Sequence, residues 1–376
     1  MNILITGGLG FIGASLVRLL SPTGQYKITI VDNLSPQIHG DFPAISETLV
    51  PFSQVDFIRC SAEHPSVYLS ALTNADVIVH LAAETGTAQS MYQIARYNAV
   101  NTQATANILD TLANNKNRVR RIILASSRSI YGEGAYKCVS HGVVYPGART
   151  IEQLRSHEWD PTCPHCSRRL ISVATPTLAP PNAASIYAAT KYAQEDLIRI
   201  ASSALGIDTS ILRFQNVYGA GQSLNNPYTG ILSIFSTRIR RGLSLPIFED
   251  GQETRDFVHV SDVANAIRLC IDCDSRGSQI YNVGSGIPTS VMEIATMLVR
   301  ILDGMHQPHV TGEYRIGDIR HCYADISQFE SDLGYSPKVS LEEGLRDFGR
   351  WVMSQPLPHD GLDNANKELK KRNLMN

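Results

Sequence analysis

The sequence predicts an α/β fold, a doubly wound parallel sheet with helices on both faces, from three observations. Short apolar runs of strand length alternate with helix-period segments through the first half of the chain. A glycine-rich turn joins the first such run to the first helix, and one segment near the middle breaks the alternation. In order, residues 2–5 read as a strand, 11–20 as a helix and 26–31 as a second strand. Residues 76–81 and 121–125 read as further strands, with the apolar spacing of a helix over 99–112 between them. Residues 133–181 are rich in Pro, Gly, His, Arg and Cys and have no sustained period, so they read as an insertion between a strand end and the next helix. A strong helix over 187–204, a strand over 209–214 and a helix over 291–302 follow among shorter elements. The polar end, 364–376, is expected to be loosely held.

A chain of 376 residues accommodates two domains, or one large domain with a lobe. The division read here is 1–208, with the insertion inside it, and 209–376, which forms mainly a second lobe while some segments return to the first. An apolar fraction of 43% is ordinary for a globular core. A net charge of −2 and a pI near 6.6 leave no basic surplus of the kind that holds nucleic acid or anionic membrane. No apolar run approaches the ~20 residues of a membrane span, and the first residues lack the order of a secretion signal, so a cytoplasmic address is expected. Seven cysteines do not pair evenly, and Cys60, Cys270, Cys273 and Cys322 stand singly, which argues against a disulfide framework.

The turn Gly7-Gly8-Leu9-Gly10-Phe11-Ile12-Gly13 lies between a strand and a helix. Gly7 permits the tight turn, Gly10 lets backbone approach a pyrophosphate, and Gly13 lets helix and strand pack closely. The helix then presents unpaired N–H groups to phosphates at Phe11 and Ile12. Asp32, with Asn33 beside it, closes the second strand about twenty residues on, where a carboxylate accepts both ribose hydroxyls and repels a 2′-phosphate. These features predict a Rossmann-type domain that binds NAD rather than NADP.

Tyr187 and Lys191 open the strongest helix, four residues apart and so on one face. A fixed ammonium beside a phenol favours phenolate, which predicts a tyrosine with a lowered pKa working as an acid/base. Upstream, Ser126-Ser127-Arg128-Ser129 leaves the C-terminal end of a strand, where open parallel sheets bind ligands.

The turn, His80-Leu81-Ala82-Ala83, Asn101, the serine-rich strand end and the Tyr187/Lys191 pair together resemble the extended short-chain dehydrogenase/reductase family. Within it the match is to nucleotide-sugar epimerases and dehydratases. It continues through Leu212-Arg213-Phe214-Gln215-Asn216-Val217-Tyr218-Gly219 and Thr254-Arg255-Asp256-Phe257-Val258-His259, and so covers nearly the whole chain. The resemblance implies a Rossmann domain, a smaller C-terminal α/β lobe, and a nucleotide-diphosphate sugar bound between them. It makes Tyr187 the acid/base, Lys191 its activator and a ribose ligand, and Ser127 the donor to a substrate hydroxyl, with Ser129 on the substrate side. It places Asn216, Arg255 and Arg315 near the sugar diphosphate, and Leu81, Ala82, Ala83 and Asn101 along the cofactor. Ser61-Ala62 stands where relatives carry an Asp before an apolar residue, so the adenine contact there departs from the family pattern. A homodimer, paired through helices that include the Tyr187 helix, is also implied.

Dehydratases of this family carry an Asp-Glu pair directly after the catalytic Ser/Thr to protonate a leaving hydroxyl; here those positions are Arg128 and Ser129. Elimination of water without a proton donor is unfavourable, and a C4 epimerisation needs none. Residues 84–92 and the insertion resemble the branch that includes dTDP-L-rhamnose 4-epimerases, with Ser90 a substrate contact. UDP-hexose or UDP-uronate 4-epimerisation, and a dehydratase or net oxidoreductase of the family, are the alternatives.

Within the insertion, Cys138-x2-His141 and Cys163-x2-Cys166 form two knuckles of the spacing that suits tetrahedral zinc, with His157 and His165 in reserve. A closed structural metal would order a segment with little apolar material. The alternatives are a flexible loop with free thiols and a Cys163–Cys166 redox pair.

Overall fold

The computed structural model describes residues 1–40, 55–224, 226, 230–358 and 360–376. Seven strands form the central sheet: β1 (Asn2–Thr6), β2 (Lys27–Asp32), β3 (Val55–Arg59), β4 (Val77–His80), β5 (Arg121–Ser127), β6 (Asp208–Phe214) and β7 (Ser278–Val283). Their order is β7-β6-β5-β4-β1-β2-β3, and every neighbouring pair is parallel. The alternation of side chains along each strand explains the continuous apolar runs. Ile3 and Ile5 face one helical layer and Leu4 the other; Ile123 and Ala125 likewise oppose Ile122 and Leu124. The first layer contains α1 (Phe11–Leu20) and the second α2 (Leu69–Asn74), α3 (Ala104–Asn114) and α4 (Ile186–Leu205), while α5 (Val260–Asp272) returns to pack beside α1. Each Leu, Ile or Val so buried stabilises the sheet by ~1.5–3 kcal/mol relative to its exposed state.

A second core gathers Leu232, Phe235, Phe257, Ile294, Leu298, Leu345 and Phe348. Its sheet pairs Thr254–His259 in parallel with Asn216–Tyr218 and His321–Cys322, and antiparallel with Pro288–Ser290. The division expected at 208/209 falls at the start of a central strand. The chain leaves the first unit only after Phe214 and re-enters it through α5 and β7: β6 pairs with β5, β7 pairs with β6, and α5 packs in the first layer.

One expectation changes and two gain detail. The polar C-terminal end is a helix, Leu362–Lys371, whose Leu362, Ala365 and Leu369 are buried, and Met375 beyond it bridges to Arg315. Few but regularly spaced apolar residues hold it down. The helix expected over 99–112 begins with a wide π-helical turn, Asn98–Gln103, before α3. The insertion is ordered around a three-stranded sheet of Gly142–Val144, Tyr136–Cys138 and Ile171–Ser172. Among the described residues, no helix is long and apolar enough to cross a membrane.

Candidate active site

The C-terminal ends of β1, β2, β4, β5 and β6 open into one cleft of about 480 Å³. At its cofactor end, Gly7 has φ +70°, and a Cβ there would stand 2.7 Å from the Ala82 backbone nitrogen. A Cβ on Gly13 would stand 2.6 Å from Gly8 Cα, so α1 packs on the turn with no room for a side chain. Gly10, the residue before α1, meets only the Gly7 carbonyl at 3.2 Å and leaves its face toward the cleft bare. Phe11 and Ile12 line the same wall at the helix N-terminus. Asp32 accepts the Leu9 N–H at 3.0 Å on Oδ2 and the Leu34 N–H at 2.9 Å on Oδ1, with His39 Nε2 3.7 Å from Oδ1, which aims its carboxylate beside the turn. Asn33, Ser61, Ala62, Leu81, Ala82 and Ala83 line the adjoining wall. This bare cradle, with a helix N-terminus and a carboxylate at its edge, fits a dinucleotide whose ribose hydroxyls are unmodified.

The opposite end of the cleft combines β5 and α4. Ser185 caps α4 by accepting the Ala188 N–H, which sets Tyr187 in the first turn and Lys191 one turn later. Ser127 ends β5 and accepts hydrogen bonds from the Ser129 N–H at 3.2 Å and the Ser129 hydroxyl at 2.9 Å. Tyr187, Lys191, Ser127 and Ser129 all line the cleft. Burial raises the Tyr187 pKa, opposed by its hydrogen bond with Ser127 and by the Arg128 guanidinium. Burial lowers Lys191 to about 7, against the pull of Glu195. The net direction at Tyr187 is upward, where a lowered pKa was expected. The direction at Tyr187 is set by burial, which outweighs the Ser127 hydrogen bond and the Arg128 charge that favour the phenolate.

Beneath them runs a buried polar chain. Lys191 Nζ donates to Gln194 Oε1 at 2.7 Å, Gln194 Nε2 to Thr105 Oγ1 at 2.7 Å, and His80 bridges Thr105 and Thr6 at 3.0 and 2.7 Å. His80 is held neutral, its pKa lowered to about 3 by burial and by the Lys191 charge. Glu195, one residue further along α4, takes Arg213 through two guanidinium nitrogens at 3.0 and 2.6 Å and also accepts the Ser126 hydroxyl. Helix and sheet are thereby locked directly behind Ser127.

Four expected ligands stand elsewhere. Asn101 is fully buried in the π-helical turn; it accepts the Glu84 N–H at 2.8 Å and donates to Thr190 at 3.0 Å, so it braces the cleft wall against α4. Ser90 is buried as well, accepting the Tyr187 N–H at 3.0 Å and donating to the Thr87 carbonyl at 2.6 Å. It positions the start of α4. Arg255 is turned back on the carbonyls of Thr254 and Arg320, and Arg315 lies over the Phe248 ring, so neither lines the cleft. Asn216 does line it, and its Oδ1 accepts from Arg128 Nε at 2.9 Å.

Arg128 and Gln215 are cleft residues that the sequence reading did not single out as ligands. Arg128 Nη1 and both polar atoms of the Gln215 side chain are buried without a partner among the described residues. Such groups are costly unless a ligand satisfies them. Their positions at the C-terminal ends of β5 and β6 were the available signal. Among the described residues, the carboxylates lining the cleft are Asp32, at the cofactor end, and Glu84, paired with Arg96 at 2.7 Å.

The model of the NAD dependent epimerase/dehydratase family matches residues 3–284. The chain belongs to that family, and it is an enzyme. It is 38% identical over 356 residues to a dTDP-L-rhamnose 4-epimerase of Burkholderia thailandensis, covering 94% of this chain and 95% of the relative. Among solved structures it resembles the UDP-glucose 4-epimerase of Thermotoga maritima with UDP-glucose, at a TM-score of 0.73 and 28% identity, covering 94% and 99% of the two chains. It also resembles the UDP-glucose 4-epimerase of Thermus thermophilus in complex with NAD, at 0.72 and 25%, covering 95% and 100%.

Proposed function

We propose that the chain epimerises a nucleotide-linked sugar at C4, using resident NAD, with a dTDP-linked 6-deoxyhexose of the L-rhamnose type as the favoured substrate. The observation that carries this reading is Arg128. It follows Ser127 at the catalytic end of the cleft, where a dehydratase needs a proton donor, and a buried guanidinium next to Arg255 supplies none to a leaving hydroxide. The dTDP-rhamnose preference draws support from the 38% identical relative.

A bound nicotinamide would accept and return the hydrogen at C4. Tyr187 takes the proton of the 4-hydroxyl and gives it back once the 4-keto sugar has turned over. Ser127 donates to the oxygen at C4 and holds it toward Tyr187. Lys191, anchored by Gln194, faces the ribose side and supplies positive charge when protonated. Arg128, Gln215 and Asn216 offer free or exchangeable donors to the sugar diphosphate, for which an arginine fork is well matched. The same reading takes the working unit as a homodimer, which sedimentation would show as twice the 41.3 kDa chain.

Purified protein incubated with dTDP-L-rhamnose, UDP-glucose and UDP-glucuronate, without added cofactor, is expected to give a C4 epimer fastest from the first. Loss of water, or stoichiometric reduced nicotinamide, would contradict the reading. We also propose that the Cys138, His141, Cys163 and Cys166 cluster holds one zinc ion. Its role would be structural, since Tyr187 and NAD account for the chemistry.

A further inference from the structure

The four sulfur and nitrogen atoms of the insertion have the dimensions of a metal site. Cys138 Sγ and Cys163 Sγ each lie 3.5 Å from His141 Nδ1, and Cys138 Sγ lies 3.7 Å from Cys166 Sγ. All four ligand atoms lie within 4.8 Å of one another, and all three cysteines are free thiols. Zinc bonds of about 2.3 Å to sulfur and about 2.0–2.1 Å to nitrogen, at tetrahedral angles, put sulfurs about 3.8 Å apart and sulfur about 3.5 Å from nitrogen. The three edges at 3.5, 3.5 and 3.7 Å match that tetrahedron. The His165 ring lies tilted beside that of His141 at 5.1 Å and His157 stacks on Trp159 at 4.9 Å; the cluster is made of Cys138, His141, Cys163 and Cys166.

Each knuckle is built by local backbone. Cys138 and His141 occupy the hairpin between strands Tyr136–Cys138 and Gly142–Val144. Cys163 and Cys166 sit in a turn closed by the Ser167 N–H on the Cys163 carbonyl and the Cys163 N–H on the Arg168 carbonyl, both at 2.8 Å. Arg168 then donates to Ser140 at 2.9 Å and ties one knuckle to the other. The apolar core around them is only Tyr136, Val144 and Leu170 besides the cysteines, too little to order such a segment unaided.

The metal-ligand strand also holds the other side of the insertion. Tyr136, two residues before Cys138, donates its hydroxyl to Glu133 at 3.2 Å. Buried Glu133 pairs with Arg149 at 3.3 Å and accepts the Arg320 N–H at 2.8 Å. Arg149 reaches Glu249 at 2.8 Å, and Arg320 reaches Glu249, Asp250 and Asp160 at 3.1, 2.6 and 2.9 Å. Glu133, Arg149 and Asp160 of the insertion thus interlock with Glu249, Asp250 and Arg320 of the C-terminal part. Dehydrated charges of this kind are stable only while their partners stay in register, and removing one leaves the others uncompensated.

We propose that the insertion is a zinc-tied strap: a Cys3His zinc site orders the Tyr136–Cys138 strand, and that strand keeps the Glu133–Arg149–Arg320 network closed between the insertion and the C-terminal lobe. The strap rests on the zinc reading, and two measurements separate them. Metal analysis of the full-length protein is expected to find one zinc per chain, and cobalt exchanged into it to show sulfur-to-cobalt charge-transfer absorption. Less than about half an equivalent of zinc together with no cobalt band would overturn the site and, with it, the strap. Hydrogen exchange is then compared between zinc-loaded and chelator-stripped protein. The strap predicts exchange at least ten-fold faster both in 136–172 and in 318–322, with β4 and β5 unchanged. Faster exchange confined to the insertion, or extended to β4 and β5, would overturn the strap while leaving the zinc. Glu133→Gln is the reciprocal test. Zinc content should stay at one per chain while 318–322 exchange faster; unchanged exchange there would overturn the network's role.

Discussion

At the residue scale the site depends on a few groups dehydrated together. Tyr187→Phe removes the proton carrier while keeping the ring that meets Tyr97 edge-on at 6.4 Å. It is expected to lower turnover by about 100-fold or more and leave bound NAD unchanged, as read by steady-state kinetics and cofactor content. Arg128→Met should raise the KM for the nucleotide sugar about ten-fold or more, since a charged fork is replaced by an apolar chain. A titration of NAD by fluorescence should show no matching loss. Glu253, outside the cleft, offers a pH test. Its carboxyl is raised from 4.5 to about 7 by burial, with the Glu249 charge adding to it, and one of its oxygens has no partner among the described residues. A folded pKa above the unfolded one means that this group's contribution is full below about pH 4.5 and is lost as pH rises through 7. Glu253→Gln should therefore raise the melting temperature by a few degrees at pH 8 and scarcely at pH 5; an equal shift at both would contradict the assignment.

At the element scale, the strand-turn-helix unit and α4 were legible in the sequence because their chemistry is local. Gly7 is demanded by its φ of +70° and Gly13 by the Gly7–Gly8 backbone of the same turn, and Tyr187 and Lys191 share one helix face. Asn101 and Ser90 were misplaced for the opposite reason. Their partners, Thr190 and Tyr187, are 89 and 97 residues away, and nothing local distinguishes a brace from a ligand. The C-terminal helix was missed because three buried side chains in ten residues read as polar tail. The Glu195–Arg213 pair shows what such distant contacts are worth. It joins α4 to β6 with both side chains buried, so Glu195→Ala, which strands the guanidinium, should cost about 3–5 kcal/mol in urea unfolding. Gly13→Ala should weaken NAD binding measurably, because its Cβ would press α1 off the turn.

At the scale of the whole molecule, two cores share one interleaved chain. Strands β6 and β7 and helix α5 belong with the first unit, while the segments between and after them build the second. The sequence reading placed the crossing at 208/209 because hydrophobic period marks elements, not the unit each joins. The cleft lies where the chain crosses, with Ser127 and Tyr187 from the sheet unit facing Gln215 and Asn216 at the crossing. On the proposed reading a sugar would lie between Tyr187 and this polar wall; among the described residues, the carboxylates lining the cleft are Asp32 and Glu84, and Arg128 rather than an acid follows Ser127. In the proposed reaction one hydrogen leaves C4 and returns to the same carbon on its other face. The most direct measurement uses dTDP-L-rhamnose deuterated at C4, with the purified protein and NMR of the products. The account predicts a C4 epimer that keeps its deuterium; an epimer that has exchanged deuterium for solvent hydrogen would contradict it.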